Sequence, residues 1–266
     1  MNPALTLPDV RPLATLFVFL FVSSLPVKAS PSPEATTPKT FADWCLNKNN
    51  LSVETLHTIN ALLQEAKTQD CHQAEKLLST LAKLYLWDKQ IADLRPLSPL
   101  TNLAYLSLNN NQIADLRPLS TLPNLIGLSL GNNQIADLRP LSSLPKLGYL
   151  SLDKNQIADL RPLSPLTNLA YLSLNDNQIS DLKPLSTLTN LKSLSLSNNQ
   201  ISDLKPLSSL TDLTVLSLSN NQISDLKPLS SLPKLAGLEL SNNPTLTDKT
   251  CPVKLASICR FVPPSR

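Results

Sequence analysis

Glycine is nearly missing from this chain: 266 residues contain 4 glycines against 23 prolines. Average usage is about 7% Gly and about 5% Pro, so the ordinary order is inverted. The glycines are Gly127, Gly131, Gly148 and Gly237. No set of them fits G-x-G-x-x-G or the Walker spacing, which excludes the glycine-rich phosphate loops. Histidine is scarcer still, with only His57 and His72. A serine or cysteine nucleophile wants a base beside it, so the chain reads as a non-enzyme with no cofactor. Charge of either sign is thin: 16% of residues are charged and the net charge is +3. That lacks the basic stripe of a nucleic-acid binder. With 42% hydrophobic residues, it also lacks the composition of a disordered chain.

Long apolar runs are absent but for one. Leu13 to Leu25 is a 13-residue apolar stretch behind Arg11, and Val27-Lys28-Ala29 places small residues where a signal peptidase reads. The run is short of the roughly 20 residues that span a bilayer. Residues 1–29 therefore read as a secretory signal peptide, with no stable membrane span, and the product is expected in the periplasm or the medium. Residues 30–40, rich in Pro, Ser and Thr, read as a linker.

Cys45 and Cys71 precede the central block, and Cys251 and Cys259 follow it. An even count in an exported chain points to disulfides, and four cysteines allow three connectivities. A long rigid block between the pairs favours Cys45–Cys71 and Cys251–Cys259. No C-x₂-C spacing supports a metal site.

The centre is one unit repeated. Leu81, Leu103, Leu125, Leu147, Leu169, Leu191, Leu213 and Leu235 are spaced by 22 residues. The unit at 103–124 reads LAYLSLNNNQIADLRPLSTLPN. Leu103, Leu106 and Leu108 alternate with outward Tyr105 and Ser107, the period of a short strand. Asn111 ends the strand and recurs as Asn133, Asn155, Asn177, Asn199, Asn221 and Asn243, while Lys89 takes the place in the first unit. An amide carries both donors and acceptors, so this ladder is expected to satisfy turn backbone of its own and adjacent coils. Pro96, Pro118, Pro140, Pro162, Pro184, Pro206 and Pro228 mark a return arm. A 22-residue coil barely holds an α-helix, so a short 3₁₀ or extended return is predicted.

The pattern L-x-x-L-x-L-x-x-N marks a leucine-rich repeat. Its extension I-x-D-L-x-P-L-x-x-L resembles the 22-residue repeat of the bacterial internalins over 81–243. The resemblance implies an α/β solenoid with a parallel sheet on its concave face, and recognition of a protein partner without catalysis. The predicted organisation is a helical N-terminal cap over 41–80, about eight repeats over 81–243, and a C-terminal cap and tail over 244–266. A monomer is expected, and the final residues, Phe261 to Arg266, show no wall-anchoring pattern. In the first cap, Leu56, Ile59, Leu63 and Ala66 share one helical face, and Ala74, Leu77, Leu78 and Leu81 a second. Ser52 and Asp70 are the predicted N-caps. In the last, Ile258 and Phe261 are the predicted plugs.

Outward strand positions are the candidate binding residues. Tyr85, Trp87, Tyr105, Tyr149 and Tyr171 all fall there, and aromatic anchors dominate interface energies. Asn109, Asp153 and Asp176 are polar candidates on the same face. Gly127 and Gly131 interrupt the aromatic row and predict a notch one repeat wide. Asp153 and Asp176 sit at neighbouring positions of adjacent repeats and form a conceivable carboxylate pair. The recurring Asp115/Arg117 pattern reads as a neutralised, solvated edge. The alternative to protein recognition is an envelope protein that is structural or binds carbohydrate.

Overall fold

The computed structural model describes residues 38–253 and 256–261. The expected signal segment and the linker as far as residue 37 lie outside the described residues. Nine parallel strands run in sequence order, eight from the repeats and the last from the C-terminal cap: β1 (Lys83–Tyr85), β2 (Tyr105–Ser107), β3 (Gly127–Ser129), β4 (Tyr149–Ser151), β5 (Tyr171–Ser173), β6 (Ser193–Ser195), β7 (Val215–Ser217), β8 (Gly237–Glu239) and β9 (Cys259–Arg260). From β1 to β8 the register advances by one 22-residue unit, with Leu106 opposite Leu128 and Leu150 opposite Leu172. A slip of one residue would turn the buried leucines outward, so the repeat pattern itself fixes the pairing.

The middle units bury their inward-facing leucines and isoleucines almost completely. Leu103, Leu108, Ile113, Leu119 and Leu122 are inaccessible to solvent, and so are their counterparts in the middle coils. The return arms are short 3₁₀ helices such as Arg117–Thr121, with proline just inside the start. There the missing N–H is harmless and the fixed φ suits the helix. Asp115 starts that turn: its Oδ1 accepts the Arg117 N–H at 2.9 Å, and the guanidinium folds back on the same carboxylate at 2.8 Å. The side-chain hydrogen bonds of Arg117 hold the Asp115 carboxyl below its ordinary range. In the later coils Asp181 still accepts the Lys183 N–H at 2.8 Å, and no ion pair joins their side chains among the described residues. The recurring acid is therefore first a turn acceptor, and charge neutralisation is secondary.

The tight turn after each strand needs a left-handed residue. Asn110, Asn132, Lys154, Asp176, Asn198, Asn220 and Asn242 take φ of 54–59° there, and no glycine has a positive φ. Asn and Asp tolerate this region better than other side chains. This is why so few glycines suffice.

Three helices cover the first coil: α1 (Phe41–Leu46), α2 (Val53–Glu65) and α3 (Cys71–Leu78). Helix α1 was not visible in the apolar pattern, although its Thr40–Asp43 capping box is a sequence signal. It buries Phe41, Trp44 and Cys45. Ser52 and Asp70 cap α2 and α3 through the N–H groups of Thr55 and Gln73. Two predicted faces need correction. In α2, Leu56 is only half-buried, while Thr55 and Thr58 are buried because their hydroxyls donate at 2.6 Å to the Asp93 side chain and backbone carbonyl. In α3, Ala74 and Leu78 are buried but Leu77 is 44% exposed. The eight-residue helix presents a narrow face, and Glu75 Oε2 fixes its rotation by accepting the Ala42 N–H at 2.7 Å.

At the far end Ile258 and Phe261 pack half-buried against the core. Strand β9 extends the sheet there, pairing Cys259 with Leu238, which the sequence did not predict. Disulfides join Cys45 to Cys71 and Cys251 to Cys259. No helix among the described residues is long and apolar enough to cross a membrane.

Candidate binding face

Strand alternation sends two side-chain columns outward, and the turn that follows adds a third. The register places Lys83, Tyr105, Gly127, Tyr149 and Tyr171 in the first column, continued by Ser193, Val215 and Gly237. The second holds Tyr85, then serines from Ser107 to Ser217, then Glu239. Trp87 and Asn109 head the third, with Gly131, Asp153 and Asn175 following at the 22-residue repeat. The four tyrosines thus share one face but not one row, because Tyr85 stands opposite Ser107. Tyr149 and Tyr171 are direct neighbours, with ring centroids 6.5 Å apart and planes tilted by 39°. Lys83 Nζ lies 5.3 Å from the centroid of the Tyr105 ring.

The expected notch is half closed. Gly127 is buried although it points outward, because the Tyr105 ring leans over it. A Cβ at Gly127 would stand 2.7 Å from Tyr105 Cδ1. The outer side of that ring is open, as Tyr105 is 42% exposed. Gly127→Ala is therefore expected to swing the ring outward at a cost under about 1 kcal/mol. Thermal unfolding and the Tyr105 ring-proton shifts check this. A loss above about 2 kcal/mol would mean the ring is locked in place. Gly131 is half-buried, and a Cβ added there would stand 3.3 Å from Asn109 Oδ1.

The asparagines of the structural ladder lie behind this face. Asn155 Nδ2 donates to the carbonyls of Leu130, Leu152 and Asp153, and its Oδ1 accepts the Ile135 N–H at 3.0 Å. Asn111, Asn133, Asn177, Asn199 and Asn221 repeat the arrangement, and Asn243 closes it. Lys89 supplies no side-chain ladder bond, and its N–H is taken by Asn111 Oδ1. A second ladder went unread in the sequence. Asn102, Asn124, Asn168 and Asn190 each donate to a backbone carbonyl of the preceding coil at 2.7–3.0 Å. Their own 22-residue spacing was the available signal.

Asp153 and Asp176 do not face each other as a pair. Asp153 Oδ1 accepts the Asn175 N–H at 2.7 Å and the Ser173 hydroxyl at 2.6 Å. Asp176 sits in the left-handed turn and accepts from Asn198 Nδ2 at 2.8 Å. Both are therefore spoken for by the next coil. No group of three His, Cys, Asp or Glu side chains suited to a metal ion occurs among the described residues.

A family model described as "Leucine Rich repeats (2 copies)" matches residues 79–121, 123–165, 167–209 and 211–250. Among solved structures, an internalin (inlF) from Listeria monocytogenes is 33% identical with a TM-score of 0.70. That match covers 81% of this chain and 62% of the internalin, so this chain spans less than two thirds of that relative. An internalin C2 (inlC2) from the same species is 34% identical at a TM-score of 0.57, covering 68% of this chain and 91% of its own. A Leptospira interrogans LRR protein, LIC12759, is 31% identical at 0.55, over 65% of this chain and 52% of its own. No curated protein matches.

Proposed function

This chain belongs to the leucine-rich repeat family, and from that premise we propose that it is an exported, non-catalytic module whose concave sheet face binds a protein partner. One observation carries the reading. The exposed large apolar side chains of the repeats are Tyr85, Trp87, Tyr105, Ile126, Tyr149, Tyr171 and Val215, and each lies in a strand or within two residues of one. The return arms bury theirs. Tyr and Trp bring large contact area at low entropic cost, so a face that gathers them is suited to docking. The anchors concentrate on β1 to β5, and the later coils offer serines, so the partner is expected to sit toward the N-terminal half. Export is supported by the apolar segment at Leu13–Leu25, by the two disulfides and by the internalin-like neighbours, which point to an extracellular or surface protein.

The triple replacement of Tyr105, Tyr149 and Tyr171 by Ser tests the reading. All three rings are more than 40% exposed, so the fold should survive their loss. Affinity capture from an envelope extract is expected to lose its partner with the triple variant, a fall of at least about tenfold for aromatic hot spots. Unchanged capture defeats the proposal. Capture that persists after protease treatment of the extract favours a saccharide ligand instead.

A further inference from the structure

The two ends of the sheet are closed differently. At the C-terminal end the cap adds strand β9, which is two residues long, holds Cys259 in a disulfide and ends on the exposed Arg260. Short length and charge are how natural proteins blunt a sheet edge. At the N-terminal end the cap is helical and adds no strand, so β1 is the first member of the sheet. Its ladder to β2 uses alternate residues. Leu84 stands opposite Leu106, the Ala82 carbonyl accepts the N–H groups of Ala104 and Tyr105, and the Leu86 N–H donates to the Ser107 carbonyl at 2.8 Å. The residues between them turn their N–H and C=O groups to the other side. These are the N–H and C=O of Lys83 and Tyr85 and the C=O of Trp87. In the second coil the equivalent groups of Tyr105, Ser107 and Asn109 pair with the coil before. In the first coil no hydrogen bond joins them to α1, α2 or α3 among the described residues.

This edge is also left unguarded. A lysine on an edge ordinarily blocks it, but the Lys83 ammonium is drawn toward the second coil, 5.3 Å from the Tyr105 ring centroid. Helices α1 and α2 lean on the return arm Arg95–Leu97. Where β1 ends, a cleft of about 270 Å³ separates His57, Asn60 and Gln64 of α2 from the turn at Asp88–Gln90. On the concave side stand Tyr85 and Trp87, at 54% and 59% the most exposed large apolar side chains of the repeats. Donors and acceptors alternating at strand spacing are complementary to another extended backbone. A helix has its own groups paired and would leave these unsatisfied. We propose that β1 is a β-augmentation site, where the protein partner lends an extended segment as an additional strand whose outward side chains pack on Tyr85 and Trp87. This rests on the proposed recognition of a protein by the concave face, with which the edge is continuous.

The probe is a short blocked peptide of alternating valine and threonine, N-methylated at every second amide so that one edge stays free and the peptide cannot stack on itself. The same peptide N-methylated at every amide is the control. In the ¹⁵N-labelled chain the Lys83 and Tyr85 amides are expected to exchange freely with solvent, and to slow at least about tenfold at saturating probe but not with the control. Lys83→Pro removes one outward N–H at the first residue of a strand, where proline is tolerated, and spares the ladder to β2. It is expected to weaken the probe at least about fivefold relative to Lys83→Ala, with similar thermal unfolding. Amides of Lys83 and Tyr85 already protected in the free monomer, equal response to both peptides, or equal binding by the two Lys83 variants each overturns the proposal. A concentration-dependent dimer that protects the same amides also overturns it, and assigns the edge to a second copy of the chain. If Lys83→Pro fails to fold, the comparison of the two peptides on the unaltered chain decides alone. The two readings separate. The triple tyrosine variant keeps β1 and should bind the probe normally, so lost partner capture with intact probe binding supports both. Lost capture in that variant, with no probe effect at Lys83 and Tyr85 of the unaltered chain, leaves recognition standing and defeats the edge. Capture unchanged in the tyrosine variant but lost in Lys83→Pro defeats the tyrosine face and leaves the edge standing.

Discussion

Replacing Asn133 and Asn155 together with alanine is expected to cost more stability than the two single replacements summed. The carbonyls of Leu108, Leu130, Leu152, Leu174, Leu196 and Leu218 each take amide protons from the asparagines of two coils. The Leu130 carbonyl accepts Asn133 Nδ2 at 2.9 Å and Asn155 Nδ2 at 3.1 Å. A single replacement therefore leaves that carbonyl one partner. What it strands is a buried N–H: Ile135 loses Asn155 Oδ1, or Ile113 loses Asn133 Oδ1. One orphaned donor plus the lost bonds gives about 2–4 kcal/mol per single variant. The double variant also empties the Leu130 carbonyl, which adds about 1–3 kcal/mol of coupling. Asn111 and Asn199 share no carbonyl, so replacing that pair should be additive within about 0.5 kcal/mol. Urea unfolding of the singles and doubles measures both cycles. Additive behaviour of the adjacent pair would show that the coils relax independently and that the shared carbonyl carries no coupling.

The second large effect is at the first cap. Cys45–Cys71 closes 26 residues of sequence and Cys251–Cys259 closes 8. Chain entropy makes these worth about 3.5 and about 2.5 kcal/mol in the unfolded state. Replacing Cys45 and Cys71 with serine is therefore expected to be the costlier change. The bridge ties α1 to α3, and α1 carries Phe41 and Trp44 into the core beside the first coil. In a solenoid each unit leans only on its neighbours. The loss should begin locally, with faster hydrogen exchange in α1 and α3 while the amides around β4 to β6 stay protected. Uniform acceleration along the chain, or unchanged urea resistance, would contradict this account.

How legible the fold was depends on the kind of interaction. Leu106 and its equivalents announce themselves because a period of 22 with period-2 alternation inside it admits one register. The ladder from Asn111 to Asn243 was readable for the same reason. The cap was harder. Its helices carry no repeat, so the inward face had to be inferred from apolar spacing alone. That placed Leu56 and Leu77 inside, where the structure buries Thr55 and Thr58 against Asp93. A threonine whose hydroxyl has a partner thirty-five residues away is not distinguishable from a solvated one in a local window.

The sequence by itself determined the coil length, the stacked parallel sheet, the 3₁₀ return and the asparagine turns, because each follows from local chemistry copied once per 22 residues. Tertiary structure alone decided which outward positions remain open. Gly127 and Gly131 are the same residue type on the same coil, yet a tyrosine ring from the coil before covers one, and oxygens of the coils on both sides rim the other. The physical reason is the reach of side chains across coils. It depends on the direction each ring takes over its neighbour, and the periodicity carries no record of that.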